Sequence, residues 1–487
     1  VFESLFDKNG VEVAHHNDAT DTKQYIYIPE IGTTLLDAET GINETMAKDN
    51  IVLTDTIAYK NLFAGEEYIV TTRLVDKNTE KDVVDAVVTR FAPETTDGEV
   101  KVKIEIPDGK SLAGKSLVCF ESIAPADLPD YVVAKHEDIE DENQTVTIPE
   151  IRTTAASKAT GNDEMIVGQD SIIDTVTYKN LRPGNNYTVT GTLINKATGE
   201  AILGTDGKPI TAKASLVPTE ADGSVGVVFN VDTTQLKNMD IVCYETLTRA
   251  DITLAEHHDK NDESQTVHVP DYSTLAVFAN GIDETAANGT VTINDKVIYK
   301  NLRVGETYVA SGSVMDASTG TALLVNGKTV TAQATFKPTA KDGETTVSYT
   351  FDATGLGGKN LVIYTELSRN NVQLMADHVI SNADETVHFP AISTELKATG
   401  TGAKEVLAGT DVSLTDTITF TNLTPGREYK ITGTLVKKSN GQTFATTEVK
   451  FTPTNANGTV DIIFKQDTSS VAGEALVAYE TITRSNG

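Results

Sequence analysis

The sequence predicts an all-β protein, a tandem array of immunoglobulin-like β-sandwich domains forming an extended rod. Three observations predict it. One landmark recurs four times, as LTDTIAYKNL around Asp55, IIDTVTYKNL around Asp174, INDKVIYKNL around Asp295 and LTDTITFTNL around Asp416, at steps of 119, 121 and 121 residues. Behind each copy, short Thr/Val-rich stretches alternate with turn signals. The third is an absence: no stretch of useful length carries a helical period. A unit near 120 residues can bury its own core, which suits a sandwich of about seven short strands and not a short-repeat solenoid.

Composition narrows the class. At 487 residues the chain is too long for one ordinary core, and 39% hydrophobic with 23% charged residues suits globular modules, not collagen, coiled coil or disorder. Seventy acidic against forty basic residues leave a net charge of -30. Such a surface repels phosphate backbones and anionic lipid, so nucleic acid is not an expected partner. No apolar run approaches the roughly 18 residues of a membrane helix, so no membrane insertion is expected, and VFESLFDKNG has no signal-peptide pattern.

Taken in order, residues 1–29 read as closing strands of a preceding repeat. Residues 30–150 and 151–271 read as two complete repeats, 272–391 as a degenerate one, and 392–487 as a repeat lacking its last strand. Within each unit a Gly-bearing turn (Gly65, Gly184, Gly305, Gly426) leads to a strand, a Pro and a tight turn at Asp97-Gly98, Asp222-Gly223, Asp342-Gly343 or Asn457-Gly458. Asx-Gly between alternating apolar residues is a hairpin signal, because both turn positions favour positive φ. An apolar strand follows, closed by glutamate: VCFE at Glu121, VCYE at Glu245, VIYTE at Glu366 and LVAYE at Glu480. An acidic loop then leads to a strand such as QTVTIPEI, which runs straight into the next unit. Cys119 and Cys243 occupy equivalent places in two repeats and read as small buried strand residues, so no disulfide staples a unit.

A polar constellation recurs in register. In the first complete unit it is Thr33, Asp55, Glu121, His136, Asp138 and Gln144; in the second, Thr153, Asp174, Glu245, His257, Asp259 and Gln265. The spacing HxDxxxxxQ is shared by both and appears a third time as His16, Asp18 and Gln24. On the residues alone, the His-x-Asp pair with a glutamate could be a metal site, and an Asp before Thr56, Thr175 or Thr417 could cap a turn. His268 and His388 read as solvent-facing.

With these motifs the chain resembles the VaFE-type repeats of Gram-positive surface adhesins, whose sandwich domains form an intramolecular Thr-Gln ester bond. The resemblance implies a nucleophilic Thr in the first strand and Gln in the last, hence bonds from Thr33 to Gln144 and from Thr153 to Gln265. It makes Asp55 with Glu121, and Asp174 with Glu245, the acid pairs, with His136 and His257 beside the reacting groups. No cofactor or metal is implied. The chemistry asks for such a set independently, since a hydroxyl is a weak nucleophile and an amide a poor electrophile. Two carboxyls in a partly dry site share a proton, which the protonated member can donate. Asp138 and Asp259 would orient the histidines or merely shape an acidic loop.

The third unit departs from this pattern. Thr274, Asp295 and Glu366 persist, but Glu385 replaces Gln, Asp377 stands at the His position and Val379 at that of the second Asp. A carboxylate is a poor acyl donor, so this domain should fold without the bond; Lys296 is a candidate partner for Glu385. The terminal units read as unpaired halves, with His16, Asp18 and Gln24 at one end and Thr394, Asp416 and Glu480 at the other. The head of one molecule could thus complete the tail of another. The reading is a structural stalk segment, single-turnover and not an enzyme, on the cell wall of a Gram-positive bacterium. Its partners would be neighbouring repeats and, through a tip domain outside this segment, a host-surface ligand. The competing reading is a carbohydrate-binding or carbohydrate-active sandwich using paired carboxylates such as Asp55 and Glu121. Absence of Trp weighs against it.

Overall fold

The computed structural model describes residues 2–485. Among them the regular elements are β-strands and short 3-10 turns. The chain divides into two compact units. Among the described residues, one comprises 2–163, 171–231 and 240–267; the other comprises 164–170, 232–239 and 268–485.

In the first unit, strands Glu30–Asp37, Asp49–Lys60 and Gly98–Asp108 form one antiparallel sheet in that order. The two-residue alternation of Glu30–Asp37 buries Ile31, Thr33, Leu35 and Asp37, exposes Glu30, Gly32 and Thr34 and leaves Leu36 half-buried. Thr33 therefore reaches the core by strand parity. The facing sheet is centred on Lys115–Pro125, flanked on one side by Tyr68–Asp76 and on the other by Ala134–His136 and Thr145–Ile148. Leu35, Leu53, Ile57, Leu74, Leu117, Cys119 and Val146 fill the space between the sheets. Each fully buried aliphatic side chain of this kind contributes roughly 1.5–3 kcal/mol. The second sandwich repeats the plan with Glu150–Ser157, Gln169–Lys179 and Gly223–Asp232 against a sheet centred on Met239–Arg249.

In the second unit, Asp271–Phe278, Thr290–Lys300 and Gly343–Asp352 face a sheet centred on Tyr308–Asp316 and Asn360–Arg369. The last sandwich places Ala391–Ala398, Val412–Thr421 and Gly458–Gln466 against Thr443–Phe451, Tyr429–Lys437 and Leu476–Arg484. At the other end of the sequence, Glu3–Phe6 and Glu12–His16 form an exposed hairpin.

The Asx-Gly dipeptides serve a different purpose from the one their sequence suggests. Gly98, Gly223 and Gly343 do not adopt the positive φ of a hairpin turn; each opens a strand. A Cβ there would meet the hydroxyl of Tyr59, Tyr178 or Tyr299 at 2.5, 2.5 and 2.4 Å. Glycine is needed so that the tyrosine can lie across the strand, while Asp97 and Asp222 accept hydrogen bonds from the Asn61 and Asn180 amides. The true left-handed turn is at Gly184 (φ 82°) and its counterparts Gly65, Gly305 and Gly426.

Candidate functional site

The second sandwich shows the polar constellation most fully. Thr153, on the first strand, sits opposite Val176, and Asp174 lies two residues away on that neighbouring strand. Glu245 is on the central strand of the facing sheet, directly across from His257. Gln265 ends the 3-10 turn Glu263–Gln265 immediately before the last strand, and so is a turn residue and not a strand residue. Its Nε2 donates to Thr153 Oγ1 and to Glu245 Oε2, both at 2.6 Å. Thr153, Asp174, Glu245 and Gln265 are all buried. In the first sandwich Gln144 Nε2 donates to Glu121, and the Thr33 hydroxyl stands beside the same carboxyl. Thr33 comes from the first strand of one sheet and Gln144 from the turn that leads into the last strand of the other.

Asp55 lies mid-strand with no solvent exposure, so it caps no turn. Burial raises its carboxyl to about 7, against the pull of Glu121 and the charge of His136. Burial raises Glu121 further, to about 10, with Asp55 adding to the shift. Asp174 and Glu245 shift in the same direction for the same first cause. Two carboxyls this dry hold a proton between them, on the glutamate. Asp55, Glu121 and the Cys119 thiol approach within 4.8 Å of one another, a spacing that would suit a cation. The donor set does not, because burial and the two carboxyls hold Cys119 as the neutral thiol and the Gln144 amide is already lodged against Glu121. At 0% and 1% exposure, Asp55 and Glu121 are also beyond the reach of a polysaccharide.

The orienting aspartates differ from those expected. Asp138 and Asp259 are exposed, and their carboxylates accept from the amides of Glu140 and Asn261, shaping the loop. The histidines pair instead with Asp141 and Asp262, His136 Nε2 to Asp141 Oδ2 at 2.9 Å and His257 Nε2 to Asp262 Oδ2 at 3.0 Å. The other oxygen of each aspartate accepts from Asn143 or Ser264 N and caps the turn that presents Gln. One residue thus fixes both the histidine and the glutamine. This aspartate, absent from the expected set, recurs as HxDxxDxxQ in all three copies. An Asx cap three residues before Gln was the available signal. His268 proves buried, and His388 Nδ1 meets Asn360 Oδ1 at 2.8 Å, so neither simply faces solvent.

The third sandwich rearranges these groups. Strand parity puts Thr365, not Glu366, opposite Gly312, where the second repeat sets Glu245 opposite Gly191. Thr365 is buried and donates to Asp295 Oδ2 at 2.7 Å, whereas Glu366 points outward to His378. Asp377 takes the histidine's place and receives Asn382 Nδ2 at 2.7 Å, the reverse polarity of the His-Asp pair. Lys296 faces away from Glu385 and pairs with Glu344 at 2.6 Å. The pocket therefore contains Thr274, Asp295 and Glu385, with Tyr272 and Tyr349 nearby, but neither acyl amide nor histidine. Burial raises Asp295 to about 6 and Glu385 to about 8, with Asp377 adding to both. The folded state holds protons that the unfolded chain releases. This contribution to stability is complete below about pH 4 and is lost as pH rises through about 8. Thermal melts of the chain between about pH 5 and 9 should show the third domain weakening with pH, and Glu385→Gln should flatten that slope. A flat wild-type profile would refute the buried pair.

In the fourth sandwich Thr394, Asp416 and Glu480 converge, and burial together with Asp416 raises Glu480 to about 8. Near the N-terminus His16 pairs with Asp21 at 3.0 Å, Gln24 ends a turn capped by Asp21, and Asp18 is exposed and bonded to Thr20. Each half reproduces its share of the complete sites.

The T-Q ester bond containing domain matches four stretches, residues 29–148, 149–269, 270–389 and 390–487. No curated protein matches the chain. Among solved structures, an adhesin from Mobiluncus mulieris containing intramolecular disulfide, isopeptide and ester bond cross-links is similar at 15% identity, over 52% of this chain and 91% of that one, with a TM-score of 0.23. A tetra-tandem repeat from the extending region of a large adhesion protein is similar at 12% identity over 94% and 99%, with a TM-score of 0.21. An Escherichia coli α2-macroglobulin is similar at 12% identity over 94% and 44%, with a TM-score of 0.19. At such scores these likenesses carry no argument about function.

Proposed function

The chain belongs to the T-Q ester bond domain family, and from that premise we propose that it is a stalk segment of a Gram-positive, cell-wall-anchored adhesin, stapled by Thr33–Gln144 and Thr153–Gln265 esters. The observation that carries this reading is the contact of Thr153 Oγ1 with the Gln265 amide at 2.6 Å, across 112 residues of sequence. The nucleophile is thus held within hydrogen-bond distance of the nitrogen it would displace. The ionised member of the carboxyl pair, Asp174, accepts the hydroxyl proton as Oγ1 attacks the Gln265 amide carbon. Glu245, holding the shared proton beside Nε2, passes it to the departing nitrogen. The C–N bond breaks, ammonia leaves, and the pair ends with the same number of protons it began with. His257, held by Asp262, favours the ionised form of Asp174 through its charge.

The groups act once, on their own chain, so this is cross-linking without turnover. Because each bond joins the first strand to the turn before the last, tension entering the sandwich would cross the ester without loading the strand ladder. Resistance to proteolysis would follow, since cleavage requires opened chain. The third sandwich, lacking amide and histidine, would be the uncrosslinked member, and a host ligand would be met by a tip outside this segment. Intact mass tests the reading: the purified chain should weigh two ammonias less than its sequence, and Thr33→Ala should restore one. A mass equal to the sequence, or peptides carrying free Gln144 and Gln265, would refute it.

A further inference from the structure

Glu44 and Glu164, at 0% exposure, and Glu284, at 5%, take no part in the ester chemistry. Each lies in the loop after the first strand of its sandwich. A parallel bridge seats that loop on the last strand of the same sandwich, Glu44 with Thr147, Glu164 with His268 and Glu284 with His388. A carboxylate is buried this completely only where partners replace its water.

The partners come from the following repeat. In the first compact unit, the Tyr187 hydroxyl donates to Glu44 Oε1 and the Arg249 guanidinium to Oε2. In the second, Tyr308 and Arg369 donate to Glu164 at 2.5 and 3.0 Å, and Tyr429 and Arg484 to Glu284 at 2.6 and 2.9 Å. The glutamate and tyrosine are 143, 144 and 145 residues apart in the three cases. Tyrosine and arginine are cross-strand neighbours, as Tyr429 with Arg484, so the sheet edge presents a hydroxyl and a cation side by side. A second contact accompanies each, the Nδ2 of Asn180, Asn301 and Asn422 donating to the carbonyls of Lys115, Val269 and Lys359.

We propose that these residues form a plug and socket, in which the glutamate loop of one repeat is the ligand of the Tyr/Arg edge of its successor and couples the two domains. The socket is specific for a carboxylate, because a neutral plug would leave a half-buried guanidinium without its anion. The first sandwich shows what the motif needs: Tyr68 is opposite Pro125 where the other three have arginine, so this edge is not built to take a glutamate.

Hydrogen exchange on the full chain tests the proposal. Glu44→Gln should speed exchange of the Thr45 and Thr147 amides, which join the plug loop to the last strand, by on the order of tenfold, the loss of one charge-assisted bond. Arg249→Met should reproduce this. Glu284→Gln should act likewise on Thr285 and His388, whose amides bond to the His388 and Asp283 carbonyls. In each variant the other joint is the internal control. The ammonia losses should be unchanged, so this result stands apart from the ester. Unaltered exchange at either joint would overturn the proposal.

Discussion

Thr153→Ala should lower the melting temperature of the second sandwich by roughly 15–25 °C while leaving its strands in place. The size comes from chain entropy. A bond between residues 112 apart removes loop-closure freedom from the unfolded chain worth about 5 kcal/mol on the disulfide scale. For a domain of this length, 1 kcal/mol moves the midpoint by about 3–5 °C. Loss of the threonine hydroxyl and methyl is small beside this, about 1 kcal/mol or less. Glu245→Gln separates the two contributions, because it keeps Thr153 and its packing but removes the proton that the leaving nitrogen needs. It should show the same fall in calorimetry of the full chain and, like Thr153→Ala, a mass only one ammonia below its own sequence mass, where the parent lies two below. A variant that retains its ammonia but melts within a few degrees of the parent would show that the staple contributes little to stability.

The parts of the molecule that depend on period were legible in the sequence. The repeat step and the all-β class follow from landmarks at fixed spacing, and the recurrence of Thr33, Asp55, Glu121 and Gln144 in the next repeat follows from the same period. What escaped was decided by single-residue parity or by side-chain reach. Glu366 was matched to Glu121 and Glu245 as the glutamate after an apolar run, yet YTEL and YETL differ by one transposition. In a strand, one place moves a side chain from the core to the surface, so Thr365 occupies the site. Asp141 was overshadowed by Asp138 because a residue two from histidine looks closer than one five away, but the chain turns between them and brings only the latter to the ring. The Asx-Gly pairs were read for a backbone angle, when the tyrosine packed over the glycine is what excludes a side chain. The Glu44, Glu164 and Glu284 plugs had no local signal, since their partners lie more than 140 residues away.

Rebuilding the third site should install a bond there as well. Thr274 and Asp295 already occupy the places of Thr153 and Asp174, on strands paired in the same register. The missing parts are the acid, the histidine with its anchor, and the amide. Thr365→Glu with Glu366→Thr restores the inward carboxyl and removes the outward one; Asp377→His with Asn382→Asp restores the oriented ring; Glu385→Gln supplies the acyl group. Tyr349→Phe is needed as well, because the Tyr349 ring lies beside Thr365 where the second repeat has Phe229, and a longer side chain at 365 would meet its hydroxyl. The combined variant should lose three ammonias instead of two and yield a tryptic species joining residue 274 to residue 385. The same set without Asp377→His should fold yet lose its third ammonia far more slowly or not at all, because Asp295 would lack the positive charge that favours its ionised, proton-accepting form. A folded combined variant that stays at two ammonias would mean that the six positions do not suffice, and that the geometry around Thr274 differs from that around Thr153 in a way these side chains do not set.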